Sequence, residues 1–302
     1  INRYTHKEVN FGFFKVITSR QIDQIEFGSF ALDYNIPTLL FEDLRSRLPG
    51  ATELQAAKLA DEATKKKMLE KPEVVVFGHE SAPTPAEPVI EPVEESKTVE
   101  FLTDMSRFFD LFQERKLALD IFTVLESSRI DGYVDELYPG VMNMYEMVRL
   151  AALESRPDVT DLPAREALVE FMIRVSLGQV DEMIVPSEHK DAARKLRKLI
   201  RQITTIDAIV EDAAEAAIRA YSILIDIKNE ELEDDDYEEL EDEEEDSDDS
   251  GDDEDVVDPE EVIQQFMGMA SPDGDGEGEQ EDGSSDEQEF EGEGEEDYSS
   301  PQ

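Results

Sequence analysis

Apolar residues recur at three- and four-residue intervals through most of the first 228 positions, and no run of comparable length alternates with a period of two. Val9, Phe13, Val16, Ile17 and Ile25 predict a helix over residues 5–27, ended by Gly28 and Ser29. Pro37 suits the first turn of a second helix carrying Leu39, Leu40 and Leu44, which stops at Pro49-Gly50. Thr52 then opens a third, Glu53 to Leu69, rich in strong helix formers. Phe101, Met105, Phe108, Phe109 and Phe112 form an aromatic stripe that reads as a core face. Further helices are expected over Leu117–Tyr133, around Val141–Ala152, and from Pro163 to Gly178. The longest is expected from Pro186 or Ser187 to Ile227, with heptad-like spacing in part that suits a bundle helix or a short coiled coil.

The pattern predicts an all-α fold, an irregular helical bundle. Residues 1–70 form an N-terminal helical segment and 98–228 the bundle proper. Between them, 71–97 hold Pro72, Pro83, Pro85, Pro88 and Pro92 among Glu, Val and Ala, as a Pro/Glu-rich linker or inserted loop would. Val74-Val75-Val76-Phe77 within it reads as an apolar patch in preference to a strand.

Charge changes the picture at Asn229. Of the chain's 77 acidic residues, 37 lie in 229–302 with no Lys, Arg or His, leaving 40 acidic against 28 basic before it. Such a run repels itself and has little apolar surface to offset chain entropy, so 229–302 is expected to be a disordered acidic tail. Inside it, Val256–Ala270 interrupts the acidity. Val262, Ile263, Phe266 and Met267 suit an amphipathic helix that either docks on its own body or folds into a partner's groove. The net charge of −49 argues against nucleic acid as a ligand. It favours basic protein surfaces or a solubilising spacer.

Candidate chemistry is sparse. The chain has no cysteine, and His6, His79 and His189 are far apart, so no transition-metal signature appears. Walker-type and dinucleotide glycine loops are absent. Asp273–Gly278 imitates a calcium loop, but the twelfth position is Ser284 where a bidentate Glu is required. No apolar run has a membrane-spanning length, and no signal pattern opens the chain, so a cytoplasmic location is expected. One basic stripe, Arg194, Arg197, Lys198 and Arg201, reads either as a solvated helix face or as a dock for an acidic surface, including the chain's own tail.

Residues 117–157 contain Leu-Glu-Ser-Ser-Arg-Ile-Asp at 125–131, Tyr138-Pro139-Gly140, and Arg-Leu-Ala-Ala-Leu-Glu-Ser-Arg-Pro at 149–157. This resembles the helical region of nitric oxide reductase activation proteins, whose pattern is F-x-x-L-E-D-x-R-I-D followed by Y-P-G. Glu26–Phe30 looks like a second family element, and Ser127 departs from the pattern where Asp is common. In that family an acidic linker follows the helices and leads to a von Willebrand factor A domain, which carries the D-x-S-x-S metal motif. The resemblance implies a non-enzymatic adaptor and a MoxR-type AAA+ ATPase as partner. The pair would act in activation or metal-cofactor maturation of a client enzyme complex. This chain would then be a fragment with no cofactor of its own, its metal site lying in a domain beyond Gln302. Glu126 and Arg129 are expected to pair at i, i+3, with Asp131 completing the network and Tyr138-Pro139-Gly140 turning the chain. The rival reading is an acidic-tailed chaperone for basic proteins. Hydrolysis by the body's own carboxylates is a third. Oligomeric state is not legible.

Overall fold

Proline, glycine and the apolar period set most helix limits seen in the computed structural model, which describes residues 7–69, 102–179, 181–240 and 256–270. Among them run α1 (Lys7–Glu26), α2 (Ala51–Leu69), α3 (Asp104–Phe109), α4 (Arg115–Leu137) and α5 (Met142–Leu153). After these come α6 (Ala164–Ser176), α7 (Lys190–Ile203), α8 (Val210–Ile225) and α9 (Pro259–Ala270). The fold is all-α apart from a short antiparallel ribbon, β1 (Ile184–Pro186) with β2 (Tyr237–Glu239), in which Val185 faces Glu238. The linker 71–97 lies outside the described residues.

α8 is the central rod. Ala213, Ala214, Ala216, Ala217 and Ala220 are fully buried, and their small side chains let neighbours close in on every side. α4 makes its most extensive contact there, and α7 and α9 also pack on α8. Leu44, Leu48, Phe108, Phe112, Leu125, Phe171, Leu196 and Leu224 belong to the same core.

The helix expected from Pro37 does not form. Residues 27–50 are an irregular segment of turns, and the cause is on α8. Glu211 accepts the N–H of Asp33 at 3.0 Å, and Asp212 accepts those of Leu39 and Leu40 at 2.8 Å. Glu215 accepts both the N–H and the Nε of Arg45 at 3.0 Å. The N–H groups of Leu40 and Arg45, which would have closed helical turns, are satisfied by buried carboxylates instead. Phe41, Leu44 and Leu48 then enter the core. Arg219 donates to the other oxygen of Glu215 at 3.0 Å and to the Glu42 carbonyl at 3.0 Å. Burial pushes the Glu215 carboxyl up to about 7, while Arg219 and Arg45 pull it back down.

The single long helix expected over 186–227 is two, because Thr204–Ile209 break it. The apolar period continues through Ile203, Ile206 and Ile209, which hides the break. Asp212 caps the new start by accepting the N–H of Ile209 at 2.9 Å. Of the aromatic stripe, Phe108, Phe109 and Phe112 are core, as expected, and Met105 packs against it, although the helix spans only 104–109; Phe101 lies outside the described residues.

The acidic tail does not begin at Asn229. Tyr237 lies in the ribbon and donates to the Leu162 carbonyl at 2.7 Å, and Leu240 is buried with its N–H on the Met183 carbonyl at 2.7 Å. Sparse apolar anchors are enough to order 229–240 despite the charge. The expected disorder of 241–255 and 271–302 lies outside the described residues.

Two stability predictions follow from these junctions. Replacing Glu215 by Leu removes the carboxylate shared by Arg45 and Arg219 and should cost at least about 3 kcal/mol in urea unfolding. At the α2–α3 junction, Asp104 accepts from Lys58 at 2.5 Å and from Arg107 at 2.6 Å. Burial raises its pKa, but those two cations outweigh it and hold the carboxyl below its ordinary 3.8. Its stabilisation is therefore present above that value and lost as pH falls through the depressed pKa. Asp104→Asn should destabilise by about 2 kcal/mol at pH 7, with the gap to the parent chain shrinking in unfolding curves below pH 4.

Candidate functional site: the α4 junction and its cleft

The Leu125–Gly140 element lies on the second half of α4 and the turn after it, with Glu126, Arg129 and Asp131 buried and Asp135 and Glu136 exposed. Arg129 grips Glu126 through two hydrogen bonds, Nε at 2.8 Å and Nη2 at 2.6 Å, and both side chains are buried. The expected i, i+3 pair is present. Arg129 also donates to the Phe27 carbonyl at 2.8 Å and to the Ala208 carbonyl at 3.3 Å. One guanidinium thus ties α4 to the end of α1 and to the turn between α7 and α8.

That turn lies on Gly132. A Cβ there would meet the backbone of Thr204 and Thr205 at 2.9 and 2.8 Å, a distance only glycine tolerates. Tyr133 adds a hydrogen bond from its hydroxyl to the Ala208 carbonyl at 3.0 Å and stacks on Phe27 at 4.7 Å. Gly28, with φ of 71°, closes α1, and the N–H of Ser29 reaches back to the Gln24 carbonyl at 2.9 Å.

Asp131 does not complete the Glu126–Arg129 network. It turns to another face and pairs with Arg20 of α1 at 2.5 Å and Arg149 of α5 at 3.3 Å. The i, i+2 spacing from Arg129 places the two on different sides of the helix. Beside it the Tyr145 hydroxyl donates to Asp23 at 2.7 Å. Burial raises the pKa of Asp23 and, with this hydrogen bond, that of Tyr145 as well. Tyr138 leads into a single 3-10 turn, Pro139–Val141, as expected of Tyr138-Pro139-Gly140, and its hydroxyl donates to Glu26 at 2.6 Å.

These ion pairs close one end of an open cleft of about 570 Å³ between α1, α4, α5 and α6. Its floor follows one row of α4: Asp120, Val124, Ser127, Asp131. Eleven residues of helix make that floor about 16 Å long. Apolar walls come from Val148 and Ala152 on α5 and from Val169, Ile173 and Leu177 on or just past α6. Ser127 sits mid-floor, so the departure from the resembled pattern changes a carboxylate position into a small hydroxyl inside the cleft. Outside the cleft, Arg156 binds Glu170 of α6 through both carboxylate oxygens at 2.8 and 3.0 Å.

The other predicted residues lie elsewhere. On α7 the stripe of Arg194, Arg197, Lys198 and Arg201 is not evenly solvated: Arg197 is buried, Arg194 pairs with Asp191 at 2.8 Å, and Lys198 and Arg201 are exposed. On α9, Val262, Ile263 and Phe266 are buried in the chain's own core, and Met267 alone of the four is exposed. Phe266 meets Phe112 and Tyr221 at ring distances of 5.8 and 5.7 Å, and Gln265 donates to the Ser222 carbonyl at 3.0 Å. Docking on its own body is thus the alternative the structure takes. Aromatic partners were available on α8 and beside α3, which the local sequence does not reveal.

Arg20, Asp23 and Tyr145 carry no motif of their own, and Arg149 opens the 149–157 stretch without a role assigned to it. A signal does exist in α1, where Val16, Arg20, Asp23 and Phe27 fall on one helical row, so charges interrupt the inward face. Among the described residues, no group of three or more His, Asp or Glu is placed to hold a metal ion, and no helix is long and apolar enough to cross a membrane. No protein-family model, no curated protein and no solved structure matches this chain.

The two motif glycines should behave oppositely. Gly132→Ala must push α4 away from the α7–α8 turn and should lower stability by about 2 kcal/mol or more. Gly140, with open space around its Cα, should accept Ala within about 0.5 kcal/mol in the same urea titrations.

Proposed function

We propose that this chain is the non-enzymatic, helical adaptor part of a von Willebrand factor A protein. It would work with a MoxR-type AAA+ ATPase in activation or metal-cofactor maturation of an enzyme complex in the cytoplasm. The observation that carries the reading is the use made of the resembled motif. Its Glu126, Arg129, Asp131 and Tyr138, with Gly132 beside the motif, are all spent joining helices, and the junction they build leaves an open, apolar-walled cleft. A motif whose charged groups are committed to pairs, and which gives the recess one hydroxyl, Ser127, beside apolar walls, suits recognition of a protein segment better than turnover of a substrate. The floor accommodates about three turns of a partner's helix. The acidic stretch after Ala270 would serve as tether to the domain expected downstream.

The reading is tested with a purified MoxR-type AAA+ ATPase from the same organism. It should be retained by the full protein, and Ala152→Trp, which fills the cleft, should weaken retention at least about tenfold without moving the thermal midpoint. Ser127→Asp should leave the fold intact, since the position is half-buried at the cleft. An open reading frame lacking D-x-S-x-S beyond Gln302, or retention indifferent to Ala152→Trp, would count against it. The acidic run supports a second reading, capture of basic proteins. That reading predicts binding that disappears between low and moderate salt and on deleting 271–302.

A further inference from the structure

α1 has two opposite faces. Gly12, Val16 and Asp23 turn inward, onto α4 and α5. On the other side Phe11, Phe14, Ile22 and Ile25 are 66%, 53%, 56% and 74% exposed, with exposed Thr18 between them. At about 100° per residue these five positions fall within a wedge of roughly 80°, a continuous apolar stripe about 20 Å long. Neighbouring helices of the described chain leave it uncovered.

The spacing of that stripe is its own mirror. Steps of three, four, four and three residues run outward symmetrically from Thr18. Turned end for end, the stripe therefore sets Phe11 opposite Ile25, Phe14 opposite Ile22, and Thr18 opposite Thr18. This is the self-complementarity that an isologous two-fold contact requires. From the stripe we infer that α1 pairs antiparallel with α1 of a second copy of this chain, about a two-fold axis at Thr18. Charge on the helix permits it: Lys7, Lys15 and Arg20 balance Glu8, Asp23 and Glu26, although the whole chain carries −49. The exposed parts of the four large side chains amount to about 450 Å² per copy. With flanking Lys15 and Gln21, the pair approaches the lower bound of specific interfaces, about 1,200 Å² in total. A dimer with a dissociation constant on the order of micromolar is expected, tightening as salt screens the acidic repulsion. That salt response is opposite in sign to capture of basic proteins, and it involves a different surface from the cleft.

Sedimentation velocity on the 302-residue chain from about 1 to 100 µM reads the association directly. Because the chain has no cysteine, single substitutions report geometry. Thr18→Cys should give a covalent dimer under mild oxidation. Phe11→Cys should not, since the two copies of that position lie about 21 Å apart along an antiparallel pair. Phe14→Glu, present twice per dimer, should raise the dissociation constant at least about 100-fold while leaving the unfolding midpoint of the dilute chain unchanged. A chain still monomeric at 100 µM, equal cross-linking from Phe11→Cys and Thr18→Cys, or a dimer indifferent to Phe14→Glu would each overturn the inference.

Discussion

The buried carboxylates at the start of α8 are the constraint on which the rest of the structure depends. Glu211, Asp212 and Glu215 stand within the first two turns of one rod, and each accepts backbone N–H groups from the irregular segment between α1 and α2. Buried backbone donors must find partners, and this irregular segment pairs only some of its own, as in its turns at Ala31, Ile36 and Leu48. The alanines of α8 let α4 pack closely, and the acids let an irregular segment pack where a helix would not fit. Arg45 and Arg219 then neutralise Glu215, so the arrangement is held by shared charge as well as by geometry. Such a site tolerates little change, since removing one partner strands the others away from water.

The same device recurs around α4. Arg129 serves three segments at once, and Asp131 gathers Arg20 and Arg149 from two others. Charged residues that look like surface decoration in a composition count act here as joints between helices. The cleft follows from these joints. α1 and α5 meet α4 at the Asp131 ion pairs, α6 packs along α4, and an apolar-walled recess remains among the four helices.

The acidic C-terminal region shows how few apolar anchors are needed against strong like-charge repulsion. Tyr237 and Leu240 hold the ribbon, and Val257, Val262, Ile263 and Phe266 seat α9 on the α8 surface. Each anchor removes apolar area from water at about 25 cal/mol per Å², whereas exposed charges are screened within about 10 Å. Short apolar segments inside a charged stretch therefore dock, and the described charges beside them, Glu238, Glu239, Asp258, Glu260 and Glu261, face solvent.

The sequence by itself determined the all-α class, most helix limits, the Glu126–Arg129 pair and the turn at Tyr138-Pro139-Gly140. Those features rest on local periods, caps and i, i+3 reach, which neighbouring residues encode. Only the tertiary structure decided that residues 27–50 stay irregular, that Thr204–Ile209 split one predicted helix in two, and that Asp131 belongs to Arg20 and Arg149. It also decided that the Val256–Ala270 segment finds its groove within its own chain. In each of these the deciding partner lies tens to nearly two hundred residues away, as Asp212 lies from Leu39, and no local pattern carries information about a contact at that range. The cleft belongs with them, because a recess is the space left between four helices and is written in none of them.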